Sequence, residues 1–354
     1  MRSDFALSIW LLLATVLATF VSTAQAAEAR FAIGARSATF IDETRPVKAS
    51  SGFAGAPVRR LDVMVWYPAK TGGADAAAAD GGPWPLVIYS HGTNGSPDNS
   101  MHLVRALVGR GYVVAAPAYP LSSVTTYTKI TMTDISDVVN QTRDIGFVID
   151  RLLADPFFGR AIDAGRIGTT GHSLGGVTSY FASFGVQTRD PRIGATALTG
   201  AGDPVQTALQ GDMGLWGTQH AAVSVPVLFL SADRDVFART TGHPHAAYAR
   251  LEGPKYEVLV KGGVHVWFRD ATDQPADNKN PDCLFFERHL PRITMPGCEA
   301  SARVPLIGPA RQQAITRAAM LDFFDAYLKK DSAALDRLRR FDKDNAEVAL
   351  VQED

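Results

Sequence analysis

Cysteine is nearly absent: Cys283 and Cys298 are the only two in 354 residues. So low a count excludes a cysteine-rich zinc module and a disulfide-dense mini-scaffold. An excess of charge of one sign is also missing. There are 35 Lys and Arg against 36 Asp and Glu, a formal net charge of -1. No basic stripe points to nucleic acid and no acidic run to a solvating tail. Internal repeats are lacking too. Long apolar runs are absent with one exception, "FALSIWLLLATVLATFV" at residues 5–21.

That run is uncharged and is followed by the small residues "STAQAAEA". Ala24-Gln25-Ala26 fits an A-x-A cleavage site, so residues 1–26 are expected to be a signal peptide cut after Ala26. A retained anchor is the alternative, but seventeen apolar residues stand at the lower limit for a span. With no cysteine near the cut, nothing suggests a lipoprotein. The mature chain, 27–354, is therefore expected in the periplasm or outside the cell. In an oxidising compartment Cys283 and Cys298 are expected to pair. Closing a loop of that length stabilises a fold by about 3 kcal/mol in the chain-entropy view.

Beyond the leader, strand-like and helix-like segments alternate. "ARFAIGARSATFID" and "VRRLDVMVWYPA" read as two leading strands. "PLVIYS", "YVVAAPAY", "RIGTTG", "IGATALTG", "VPVLFLSAD" and "YEVLVKGG" supply six more. Continuous apolar runs such as "PLVIYS" suit strands buried on both faces. Helical spacing marks residues 100–111, 134–155 and 309–329, with Asp134 as a possible N-cap of the second. The order predicts one α/β domain with a mainly parallel eight-stranded sheet and helices on both faces. Two insertions, at about 201–223 and 269–306, fall beyond strand ends and are candidate pocket walls.

The chemistry gathers at strand ends. In "RIGTTGHSLGG" Ser173 sits between Gly171 and Gly175 where a strand gives way to a helix. A serine hydroxyl is a weak nucleophile until a base takes its proton and a third group orients that base. Asp235, in "LSADRDV", is the best-placed acid, with Asp233 and Asp203 as alternatives that could merely cap turns. His265, in "GGVHVWF", is the best-placed base. His91 and His172 read as structural hydrogen-bonders. His243 and His245 form an H-x-H pair without an acidic or cysteine partner nearby. His102, His220 and His289 read as surface or loop residues. Serine, then acid, then histidine, each after a successive strand, is the order of the α/β-hydrolases. The N–H groups of Leu174 and of Thr93, in "YSHGTNG", are the expected oxyanion donors.

These segments, with "VMVWYPA" in the second strand, resemble the α/β-hydrolase superfamily. The closer resemblance is to its platelet-activating-factor acetylhydrolase-like branch, with the bacterial proteins called predicted dienelactone hydrolases. The resemblance implies a metal-independent ester hydrolase working through an acyl-enzyme, with Ser173 as nucleophile, Asp235 as acid, His265 as base and Leu174 with Thr93 at the oxyanion. True dienelactone hydrolases carry cysteine where this chain has Ser173, so lactone specificity is not implied.

The expected activity is serine-dependent hydrolysis of small or short-chain carboxylic esters. Neither cofactor nor metal is expected, nor a nucleic-acid partner, nor stable membrane insertion once the leader is cut. An exported polyester hydrolase of cutinase type is one alternative. A non-catalytic binding protein on the same fold is another. Trp216, Phe237, Trp267 and Phe268 are expected to line an apolar pocket. The carboxylates of "DATDQPADN", residues 270–278, match no calcium-loop spacing and read as a solvated loop.

Overall fold

The structure is a computed structural model and describes residues 30–213, 221–291, 295–299 and 305–353. The expected signal peptide and cleavage site fall outside the described residues, as do Trp216 and His220. The eight strands expected are β1 (Ala32–Asp42), β2 (Arg59–Ala69), β4 (Trp84–Ser90), β5 (Val113–Ala118), β6 (Ile162–His172), β7 (Ile193–Thr199), β8 (Val227–Ala232) and β9 (Lys255–Val260). Two short strands extend the sheet to ten: β3 (Gly73–Ala74) beside β1, and β10 (Val348–Glu353) antiparallel to β9. The order is β10-β9-β8-β7-β6-β4-β5-β2-β1-β3, with β4 to β9 mutually parallel and β2 antiparallel to both neighbours, β1 and β5.

Strand β4 shows why such a sheet needs both faces covered. Leu86 and Ile88 point to one side, where Ile145, Val148 and Ile149 of the helix Val138–Ala154 pack. Val87 and Tyr89 point to the other, against a core that includes Leu103 and Leu107 from Met101–Gly109 and Phe323 and Phe324 from Pro309–Leu328. Each such fully buried apolar side chain contributes about 1.5–3 kcal/mol. The helix Pro309–Leu328 does not end the fold. Ser332–Arg339 and Phe341–Asp344 follow it and lead to β10. Asp134 caps the short 3-10 turn Ile135–Asp137 ahead of the long helix rather than the helix itself.

A buried ion network ties β2 to that helix. Arg59 is fully buried and donates to both Asp137 and Asp144. Among the described residues no helix is long and apolar enough to cross a membrane.

Candidate active site

Strand β6 runs to His172, and the chain then turns sharply into the helix Leu174–Phe184. Ser173 sits at that corner with φ 56° and ψ -122°. A side chain held there costs of order 1–3 kcal/mol, which the surroundings must offset. Ser173 N–H donates to Thr199 O at the end of β7, and Ser173 O accepts from Gly176 N–H. The flanking glycines are steric necessities. A Cβ on Gly175 would collide with the backbone carbonyl of Ser90, and one on Gly171 with the backbone of Gly175.

Asp235 and His265 meet, although they follow different strands. Asp235 Oδ2 lies 2.8 Å from His265 Nδ1, and Asp235 Oδ1 accepts from Ala238 N–H at 3.0 Å. The two alternative acids are occupied elsewhere. Asp203 caps the helix Pro204–Gln210 through the N–H groups of Val205 and Gln206, and accepts from Ala247 N–H. Asp233 accepts from Gly262 N–H at 2.6 Å.

The ring of His265 is buried and held on both sides. Phe237 stacks on it with centroids 4.1 Å apart, and His172 lies at 4.6 Å. Burial opposes its cationic form, but the Asp235 carboxylate overcomes this and holds the imidazole above its ordinary value. Burial drives His172 the other way, well below the ordinary histidine range, and the neighbouring His265 adds to that. The neutral His172 donates Nε2–H to His265 O at 3.2 Å.

Ser173 and His265 line one cavity of about 400 Å³, and Thr93 and Leu174 border it as well. No hydrogen bond joins Ser173 to the His265 ring among the described residues. Such contacts are commonly long before a ligand binds. With Nδ1 engaged by Asp235, Nε2 is the ring nitrogen left for the cavity. Leu174 opens its helix, where the first N–H groups have no intrahelical partner. The loop bearing Thr93 is shaped by His91, which donates Nδ1–H to Gly92 O and accepts from Tyr119 N–H. Burial pushes His91 down to about 4, so it stays neutral.

Both insertions supply cavity wall: Gln210 and Met213 from the first, Phe285 and Leu290 from the second. Phe237 lines the cavity as expected from sequence. Trp267 and Phe268 do not. The 3-10 turn His265–Phe268 sends both inward, so that Phe268 joins the main core and Trp267 donates Nε1–H to Asp273 O. His102 is another correction. It is half-buried, with Nε2 3.0 Å from Phe268 O. Asp270, Asp273 and Asp277 of the 270–278 segment are exposed, as expected of a solvated loop, and Asp270 also accepts from the N–H groups of Met101 and His102.

Two residues with no sequence signal complete the site. Arg269 brings a guanidinium to the cavity wall, over the Phe285 ring at 5.9 Å. Asp282 lies fully buried behind His265 and accepts three backbone N–H groups. Burial, with the Asp235 charge, pushes its carboxyl up to about 6. The next residue, Cys283, is disulfide-bonded to Cys298 with Cα atoms 5.4 Å apart.

No protein-family model and no curated protein matches the chain. Among solved structures it is similar to the ferulic acid esterase from Streptomyces cinnamoneus. The match has a TM-score of 0.63 and 24% identity, and covers 91% of this chain and 97% of that one. At that identity the likeness speaks to the fold, and the fold of this chain is that of the α/β-hydrolases.

Proposed function

We propose that this protein is an exported serine carboxylic-ester hydrolase acting on small esters through an acyl-enzyme. The observation that carries the reading is His265, bonded to Asp235, lining the same cavity as the strained Ser173. His265 Nε2 takes the proton of Ser173 Oγ as the oxygen attacks the ester carbonyl. Asp235 orients the ring and stabilises the imidazolium. The N–H groups of Leu174 and Thr93 receive the oxyanion. His265 then protonates the leaving alcohol, and water repeats the sequence on the acyl-enzyme.

The resemblance to a structure named as a ferulic acid esterase supports ester hydrolysis as the reaction class. A cavity of about 400 Å³ walled by both insertions supports a small ester over a polymer strand. The disulfide supports an oxidising compartment, and together with the apolar leader it supports export. A fluorophosphonate probe tests the reading. Wild type is expected to be labelled at Ser173 and Ser173→Ala to remain folded, unlabelled and inactive on p-nitrophenyl acetate. Retained turnover in that variant overturns it.

A further inference from the structure

Asp282 carries a buried carboxylate that, among the described residues, no cation neutralises by direct contact. Its Oδ2 accepts from Val236 N–H at 3.1 Å and from His265 N–H at 3.0 Å, and its Oδ1 accepts from Val266 N–H at 3.0 Å. Val236 directly follows Asp235. His265 and Val266 open the turn that presents the imidazole. One side chain therefore bonds the backbone of both loops whose side chains meet at 2.8 Å. An asparagine could not reproduce this, because it has one acceptor oxygen where three N–H donors converge.

The segment holding Asp282 is itself secured. Asn280 Nδ2 donates to Arg234 O at 2.7 Å, while its Oδ1 accepts from Asp282 N–H at 2.9 Å. Cys283 is bonded to Cys298. Burying an ion without a counter-ion is costly, and three donors from two loops are what this arrangement gains in return.

We propose that Asp282 is a positioning residue, fixing the Asp235 and His265 loops in register and setting a negative charge behind the imidazole. This rests on the reading of Ser173, Asp235 and His265 as a catalytic set. The charged and titratable groups around it are Asp235, His265, the Arg269 guanidinium and, across the His265 ring, His172.

The test compares wild type with Asp282→Asn in histidine-¹⁵N-labelled protein, with kcat and KM on p-nitrophenyl acetate measured against pH. Removing a negative charge near the ring disfavours its cation, so the His265 titration and the acid limb of kcat/KM are both expected at lower pH. The His265 Nδ1–H is expected to exchange faster with solvent. Misplacing the pair is expected to lower kcat roughly 10- to 100-fold with KM within about threefold. A folded variant whose ring titration matches wild type overturns the proposal, even if its melting temperature falls, because the carboxylate is then structural only.

Should Asp282→Asn not fold, Asn280→Ala loosens the same segment and keeps the charge. A several-fold lower kcat at constant KM supports the proposal, and unchanged kcat overturns it. The ring titration needs no turnover. A wild type that neither labels nor hydrolyses ester would refute the catalytic reading, while the titration still decides whether Asp282 positions the pair.

Discussion

Asp235 Oδ2 and His265 Nδ1 stand 2.8 Å apart, and both side chains are almost wholly buried. Desolvation makes the bond consequential. An imidazolium formed here has little water to stabilise it and depends on this carboxylate. Asp235→Asn is therefore expected to lower kcat on the order of 10³- to 10⁴-fold, since the amide disfavours the required tautomer and supplies no charge. Asp233→Asn, whose carboxylate binds Gly262 N–H, is expected to stay within about threefold of wild type. Steady-state kinetics on p-nitrophenyl acetate compares the two.

The same pair sets a pH dependence. In the proposed mechanism His265 must be neutral to take a proton, and Asp235 raises the imidazole above its ordinary value of about 6.5 against the effect of burial. Activity is expected to fall with acidity through a kcat/KM limb above that value, and the limb is expected to move down in Asp235→Asn. Stability runs the opposite way. A raised folded-state value means the contribution of His265 is full below the unfolded-state value and is lost as pH rises through the folded one. Urea unfolding across that window, comparing wild type with His265→Gln, measures it.

The disulfide gives a third expectation. Cys283 and Cys298 close a loop spanning 15 residues of sequence. Opening it by Cys283→Ala with Cys298→Ala is expected to cost about 3 kcal/mol. The lost side chains also leave the apolar cluster of Val236, Phe286 and Phe237. Val236 adjoins Asp235, so activity is expected to fall along with stability. Urea midpoints and kcat of the double variant, with wild type under reducing conditions as a parallel, provide the check.

Much of this was legible in the sequence. The six parallel strands, β4 to β9, announced themselves because parallel strands buried on both faces must be continuously apolar, and β1 and β2 through their β-branched and aromatic residues. The order of Ser173, Asp235 and His265 along the chain predicted that they meet; the structure bonds Asp235 to His265 and puts Ser173 and His265 on one cavity wall. What stayed illegible depends on contacts between distant segments. Asp282, in "NPDC", reads as an ordinary first-turn acid. Its bonds to loops 46 and 17 residues earlier have no local signature. Aromatic character could not separate Phe237, which faces the cavity, from Trp267 and Phe268, which a single 3-10 turn directs into the core. Strand β10 has only "VALV" between polar residues, and its pairing with β9 comes from the end of the chain returning to the sheet edge. Nothing local in "VRRLDV" marks Arg59 as buried rather than exposed, because its partners Asp137 and Asp144 lie far along the chain.

Arg59 leads to a fourth prediction. Its guanidinium is buried and bonds Asp137 and Asp144, and Asp144 is also held by Arg45. Replacing it by methionine leaves carboxylates buried with too little positive charge. The expected loss is about 3–5 kcal/mol. Because the network makes no bond to Ser173, Asp235 or His265, the fluorophosphonate labelling rate of the folded fraction is expected to stay within about threefold of wild type, any change entering through Ile135, which lines the cavity from the turn that holds Asp137.

The last prediction concerns the corner that exposes Ser173. The helix Leu174–Phe184 begins so close to β4 that an added Cβ on Gly175 would overlap the carbonyl of Ser90 and approach His91 O at 2.6 Å. These are backbone atoms, so no rotamer change relieves the clash. Either the helix start moves away from β4, or the loop carrying Thr93 shifts. In both cases the proposed oxyanion donors, the N–H groups of Leu174 and Thr93, move relative to each other. Overpacking of this kind costs about 1–3 kcal/mol or more, and loss of one oxyanion donor lowers kcat roughly 10²- to 10³-fold. Gly175→Ala is therefore expected to lose about 1–3 kcal/mol of stability or more. Its folded fraction should lose kcat far more than it changes KM. Thermal melts with burst-phase titration of active sites separate the two effects, and a fully active, equally stable variant would show that the corner is looser than its contacts indicate.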